Sequence, residues 1–219
     1  ELMKMAGLTG GKRAQQRAAT IDDLVWVVDQ FADAAEHVQK AGLDGIEVHA
    51  AHGYLISTFL SPHYNLRDDE YGGSVENRSR LLVEVVSAIR KRCGSDFGII
   101  VRLDGREYVE GGITPELSAE YAVLAESAGA DAIHVSASGP NSMGVGFTNG
   151  PLPWQPDQYL GLAAVVKQSV SIPVIAVGRI FPDAAEKHLK NGDCDFVSMG
   201  RQLLADPDLA AKLLSGKPD

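Results

Sequence analysis

Cysteine is nearly missing from the 219 residues. Cys93 and Cys194 are the only two, too few for a disulfide scaffold or a thiolate metal cluster. That scarcity fits a reducing, cytoplasmic setting. Basic side chains are outnumbered, 20 Lys+Arg against 29 Asp+Glu, giving a formal charge of −9. A non-specific polyanion binder carries the opposite sign, so nucleic acid is not an expected partner. Aromatics make up 6% of the chain, with two Trp, which leaves little for base-stacking platforms. No apolar run approaches the roughly 18 residues of a bilayer-spanning helix. No apolar signal core follows the glycines and basic residues (Lys12, Arg13, Arg17) near the start. Neither a membrane span nor a secretory leader is expected. The 45% hydrophobic content in turn excludes a disordered chain.

What the sequence does contain is an alternation of two periodicities. Val27, Phe31, Ala34, Ala35 and Val38 follow helical spacing and predict a helix over 23–40, stopped by Gly42. Short runs rich in Val and Ile predict strands at 45–49, 98–104, 131–136, 173–177 and 195–199. Helices are expected between and after them at 74–92, 115–127, 157–168, 183–190 and 203–214. Ser74 and Thr114 serve as caps, and Pro115 stands in a first turn. Residues 50–73 and 137–156 are expected as long loops. This reads as one domain over 23–219, preceded by a loop or tail at 1–22. Right-handed crossovers make the strands parallel neighbours.

A doubly wound sheet and a (β/α)8 barrel both accommodate five such units. Polar residues and glycines fall at the ends of all five strands: His49, Asp104, Ser136, Gly178 and Gly200. A doubly wound sheet concentrates chemistry at one switch point, whereas a barrel gathers it from many strand ends. The pattern therefore favours five-eighths of a barrel.

Several residues carry chemistry. His49 and His52 stand three apart just past a strand, where two imidazoles can converge on one oxygen, and Tyr54 adds a phenolic proton. One histidine could instead satisfy the strand end; a metal pair has no obvious third or fourth ligand. Arg102 lies within a strand on the face of Ile100 and Asp104, so its charge needs an internal ion pair or an anionic, electron-rich cofactor. Gly178-Arg179 and Gly200-Arg201 close the last two strands alike, each offering close backbone approach and a guanidinium fork, as a phosphate requires. The charged 65–80 segment reads as an anchored loop that supports Tyr54. His134 reads as a core or supporting residue, and Cys93 and Cys194 as structural. The 137–156 loop, with Asn141, Met143, Phe147, Asn149 and Trp154, is placed to cover a substrate.

The run Ile46-Glu47-Val48-His49-Ala50-Ala51-His52-Gly53-Tyr54-Leu55 resembles the Old Yellow Enzyme family, also called the NADH:flavin oxidoreductase family. So do Phe59-Leu60-Ser61-Pro62, Asn65, Arg67, Asp69-Glu70-Tyr71-Gly72-Gly73-Ser74 and Glu76-Asn77-Arg78. The likeness extends from about residue 24 to the end. It is nearest to bacterial ene-reductases and to 2,4-dienoyl-CoA and 2-enoate reductases. The resemblance implies a (β/α)8 TIM barrel with FMN at its mouth and NADH or NADPH as electron donor. The substrate it implies is a small activated alkene, an α,β-unsaturated carbonyl or enoyl compound. It further implies that His49 and His52 hold the substrate oxygen and that Tyr54 protonates the carbon beside it. Arg102 would face the flavin's pyrimidine edge, and Gly178, Arg179, Gly200 and Arg201 would hold its phosphate.

In family terms the strands present are the fourth to the eighth. The chain is accordingly expected to be part of a longer protein, and alone to bind FMN poorly and not to turn over. An iron–sulfur cluster is expected only in such a longer parent, and self-association into a homo-oligomer is left open. Two other readings stand beside the first. One is an FMN reductase of quinones or nitro compounds; the other is a truncated, non-catalytic barrel piece acting as an interaction module.

Overall fold

The computed structural model describes residues 17–137 and 156–216. Thirteen elements follow one another in this part. They are α1 (Ile21–Lys40), β1 (Gly45–Ala50), α2 (Leu55–Leu60), α3 (Val75–Cys93), β2 (Gly98–Asp104), α4 (Pro115–Ala128) and β3 (Ala132–Ser136). Then come α5 (Leu160–Lys167), β4 (Val174–Val177), α6 (Pro182–Asn191), β5 (Phe196–Ser198), α7 (Arg201–Ala205) and α8 (Leu209–Leu214).

The five strands form one sheet in the order β1-β2-β3-β4-β5, all neighbours parallel. The order never reverses, unlike that of a doubly wound sheet, which turns back at a switch point. Side chains alternate across the sheet. Val48 and Ala50, Ile99, Val101 and Leu103, Ile133 and Val135, and Val174 and Ala176 form one face, almost wholly buried under the helices. The other face carries Glu47, His49, Arg102, Asp104, His134 and Ser136 in register across β1 to β3, then Ile175, Val177 and the exposed Phe196. Polar residues thus gather on this face toward the C-terminal ends of β1, β2 and β3, the strands whose other face makes the core.

Local chemistry sets the helix ends. Thr20 and Asp23 form a reciprocal capping box, which starts α1 at Ile21, two residues before the expected Asp23. Ser74 Oγ accepts the Asn77 N–H at 3.2 Å to start α3, whose Leu82, Val85, Val86 and Ile89 point into the core. Thr114 caps α4 and Gly129 ends it in the left-handed region.

Three expectations need correction. The 50–73 loop contains the short helix α2, whose Ile56, Phe59 and Leu60 are buried; the run is too short to show a helical period. Helix α5 begins at Leu160 rather than Asp157, because Asp157 has φ +65°, outside the helical region. The expected 203–214 helix starts earlier, at Arg201, and is two helices. Pro207 drives the preceding Asp206 into extended backbone (φ −139°, ψ 93°), and the chain restarts at Leu209. The 137–156 loop lies, apart from residues 137 and 156, outside the described residues, as do residues 1–16 of the expected tail.

Candidate active site

All five strands are parallel, so every strand C-terminus opens on one rim. His49, one residue from the end of β1, is the register partner of Arg102, which in turn pairs with His134. Glu47, two residues earlier on the same face, reaches both neighbours. Its Oε2 lies 2.7 Å from His134 Nδ1, and its Oε1 is 3.6 Å from Arg102 Nη1. Burial works to raise the Glu47 pKa, but the His134 hydrogen bond and charge together with Arg102 outweigh it and hold the carboxyl below its ordinary value. Arg102 is therefore loosely ion-paired, and it also points its Nε–H toward Ser136 Oγ at 3.4 Å.

Beyond β1 the chain bends sharply. His52 adopts φ +65°, a left-handed conformation that costs a non-glycine residue on the order of 1 kcal/mol or more. Two contacts hold it there. Its backbone N–H donates to Asp104 Oδ2 at 2.7 Å, and its ring Nε2 lies 2.8 Å from Ser136 Oγ. Asp104 is itself buried and accepts from Ser57 Oγ at 3.2 Å, which ties the start of α2 to the end of β2. The bend brings the ring of His52 to 4.8 Å from that of His49, and the ring of Tyr54 to 5.1 Å from it. Tyr54 is largely solvent-exposed.

Both imidazoles are held neutral. Burial pushes the His52 pKa down to about 4, helped by the Arg102 charge, and burial followed by Arg102 lowers that of His49. A neutral imidazole carries one N–H donor, so each ring can still donate to an oxygen placed between them.

The charged 65–80 segment anchors this bend. Asn65 Nδ2 donates to the carbonyls of Phe59 and Tyr71 at 2.6 and 2.7 Å, and Arg67 pairs with Asp69 while donating to Ala19 O. Arg78 donates to the hydroxyl of buried Tyr121, which donates to Leu60 O at 2.5 Å. Buried Glu107 accepts from Ser61 Oγ and from the Ile113 N–H, locking the loop after β2 to the end of α2.

At the far end of the same rim, β4 and β5 end in a cleft of about 380 Å³ lined by Gly178, Arg179, Ser198, Met199, Gly200 and Arg201. Gly178 has φ +129°, and a Cβ there would stand 2.5 Å from the Tyr159 ring; Arg179 follows at φ +53°. Gly200, by contrast, faces open space. Gln202 Nε2 donates to Ile180 O at 2.7 Å, so α7 is tied to the loop after β4. Two arginines beside backbone stripped of side chains suit an anionic, phosphate-bearing ligand.

The structure therefore brings His49, His52, Tyr54 and Arg102 together, and places Gly178, Arg179, Gly200 and Arg201 together three strands away on the same rim. Glu47, Ser57 and the pairing of Asp104 and Ser136 with His52 are additions. Glu47 was legible as the i−2 neighbour of His49 on one strand face; the contact of His52 with Ser136 spans 84 residues and left no local signal. Cys93 and Cys194 are buried, and burial raises both thiol pKa values, as suits structural cysteines.

Fold and rim together describe a parallel α/β enzyme scaffold with a polar site at its strand ends. Residues 4–219 match the model of the NADH:flavin oxidoreductase / NADH oxidase family. The chain belongs to that family. It is 41% identical over 209 residues to the NADH oxidase of Thermoanaerobacter brockii, a match covering 93% of this chain and 31% of that protein. It is 33% identical to the cinnamate reductase of Clostridium sporogenes, covering 93% of this chain and 33% of the relative. The solved structure of a 2-naphthoyl-CoA reductase in complex with 2-naphthoyl-CoA superposes with a TM-score of 0.86 at 34% identity, covering 92% of this chain and 31% of that one. The chain thus spans about a third of the length of these relatives.

Proposed function

We propose that these residues form strands four to eight of an FMN-binding (β/α)8 barrel. The barrel would belong to an oxidoreductase that uses NADH or NADPH to reduce the activated C=C bond of an α,β-unsaturated carbonyl or enoyl compound. The observation that carries this reading is the shared rim: the neutral imidazole pair with Tyr54 stands at one end of it, and the two Gly-Arg strand ends at the other. The non-reversing strand order and the polar, partly uncovered second sheet face support the barrel, whose interior that face would line. The names of the cinnamate and 2-naphthoyl-CoA reductases support the substrate class.

The residues present fit FMN. Open space over Gly200 and the left-handed backbone at Gly178 and Arg179 leave room for a phosphate, with Arg179 and Arg201 as its cations. Arg102 supplies a positive charge between that cleft and His49, where the ring's electron-rich edge would lie. When bound, FMN would supply the two-electron hydride chemistry that couples oxidation of the nicotinamide to saturation of the alkene. His49 and His52 donate hydrogen bonds to the substrate's carbonyl oxygen and stabilise the negative charge that develops there. Tyr54 donates its phenolic proton to the α carbon, so hydride and proton together saturate the double bond. Its exposure lets solvent return the proton. The only cysteines are Cys93, at the end of α3, and Cys194, in the short connection before β5; both are buried, and two thiols are too few for an iron–sulfur cluster, which would need ligands from elsewhere in a longer protein.

An anaerobic single turnover of the full-length gene product tests this. Flavin reduced by NAD(P)H should be reoxidised by a cyclic enone with formation of the saturated ketone. Reoxidation by a quinone alone would redirect the substrate class, and reoxidation by neither would overturn the reading.

A further inference from the structure

We propose that Ser136 is a positioning residue that fixes His52 in the tautomer with its proton on Nδ1, so that this nitrogen can donate to the substrate oxygen. The inference rests on the reading of His52 as an oxygen-binding residue and goes beyond it by naming what makes the ring a donor.

The argument begins with the ring's partners. Among the described contacts, Ser136 Oγ is the hydrogen-bond partner of His52 Nε2, at 2.8 Å. The buried Asp104 carboxylate would be the usual choice for orienting an imidazole, but its Oδ1 stays 4.0 Å from Nε2, beyond hydrogen-bond reach. Asp104 spends its Oδ2 on the His52 backbone N–H instead. The carboxylate fixes where the residue sits, and the hydroxyl fixes which nitrogen holds the proton.

A serine hydroxyl has one proton to give, and two acceptors compete for this one. His52 Nε2 is at 2.8 Å, while Leu103 O is at 3.3 Å, past the ordinary O–H···O range. Arg102 Nε–H, at 3.4 Å from the same oxygen, uses one lone pair in either hydroxyl orientation, so the direction rests on distance: the proton goes to the acceptor 0.5 Å nearer, the imidazole. Ser136 therefore donates, Nε2 accepts, and the proton of the neutral ring lies on Nδ1. Burial keeps the ring neutral near pH 7. In the opposite tautomer His52 would present a bare nitrogen to the substrate oxygen, and two acceptors would face each other.

Ser136 also lies in register with Asp104 at the end of β3, two residues past His134, and is itself fully buried. Ser136 thus links the positive charge of Arg102, in the middle of the rim, to the donor at its edge through a buried hydroxyl.

Nitrogen-15 NMR of the flavin-loaded, histidine-labelled full-length protein reads the tautomer directly, with His52 assigned by its loss in His52→Asn. The wild type should show a protonated Nδ1 and an unprotonated Nε2. Ser136→Ala should yield mixed tautomers and weaken enone binding about tenfold, the effect of one lost hydrogen bond, while Ser136→Thr restores the single tautomer. A protonated Nε2 in the wild type, or an unchanged Nδ1 tautomer in Ser136→Ala, would overturn the proposal. The wild-type spectrum decides even if a variant does not fold. Enone turnover by wild-type protein with the wrong tautomer would leave the functional reading standing. Failure of that turnover would remove the functional reading by its own signal, whatever the spectrum shows.

Discussion

Asp104 Oδ2 accepts the backbone N–H of His52 at 2.7 Å, joining the end of β2 to a bend 52 residues earlier in the chain. Together with the contact of its ring to Ser136 Oγ, that bond holds a non-glycine residue at φ +65° with its ring beside His49. The site is built from strand ends that meet only once the sheet has formed.

Tyr54→Phe removes the phenolic proton but keeps the ring beside His49. Reduction of the flavin by NAD(P)H should stay nearly unchanged, whereas reoxidation by an enone should slow by roughly 10²–10⁴, the usual contribution of a positioned acid. Stopped-flow measurement of the two half-reactions separates them. An equal loss in both would contradict the role given to Tyr54.

Gly178→Ala and Gly200→Ala should differ in kind. At Gly178 a Cβ meets the Tyr159 ring at 2.5 Å on a backbone with φ +129°, so the variant should lose about 1–3 kcal/mol of stability. At Gly200 the Cβ enters open space, so folding should be normal and only FMN affinity should fall. Denaturant melts paired with a flavin-fluorescence titration check both arms.

Glu47→Ala leaves His134, already without a partner at Nε2 among the described residues, with neither ring nitrogen bonded in a buried position. A loss of about 1–3 kcal/mol is expected from the unpaired buried group. Glu47→Gln, whose amide oxygen can still accept from Nδ1, should lose less. Equal stability of the two variants by urea denaturation would show that this contact does not matter.

The acid response of His52 follows from its depressed pKa. The folded value is about 4 against an ordinary value near 6.5. Between these the unfolded chain binds more protons than the folded one, so this group's contribution to stability is full above about pH 6.5 and is lost as pH falls toward 4. In an NMR titration the His52 ring should keep its neutral shifts down to about pH 5; a midpoint at or above 6.5 would contradict the burial argument.

The sequence made some of this legible and hid the rest for physical reasons. The stripe of Leu82, Val85, Val86 and Ile89, with Ser74 as cap, marked α3 because helix period and capping are local properties. The strands were readable from their Val and Ile, and His49 with His52 and Tyr54 from close spacing. Helix α2 was not readable, since six residues contain too few turns, and the break at Asp206 has a single local signal, Pro207, within an otherwise helical pattern. The partners of Glu47 and His52 lie on other strands, 87 and 84 residues away, and only sheet register brings them together.

Arg201→Ala should weaken FMN binding roughly tenfold to a hundredfold, the worth of a charge-assisted hydrogen bond of about 1.5–3 kcal/mol. Equilibrium titration monitored by flavin fluorescence reads this. Unchanged affinity would remove the phosphate role from the end of β5.

The central claim is that one ligand bridges the two ends of the rim. A crystal structure of the full-length protein with FMN tests it most directly. The phosphate should lie between Arg179 and Arg201, and the ring should reach Arg102 with His49 and His52 above it. FMN density at the N-terminal ends of the strands, or a ring directed away from β1, would contradict it.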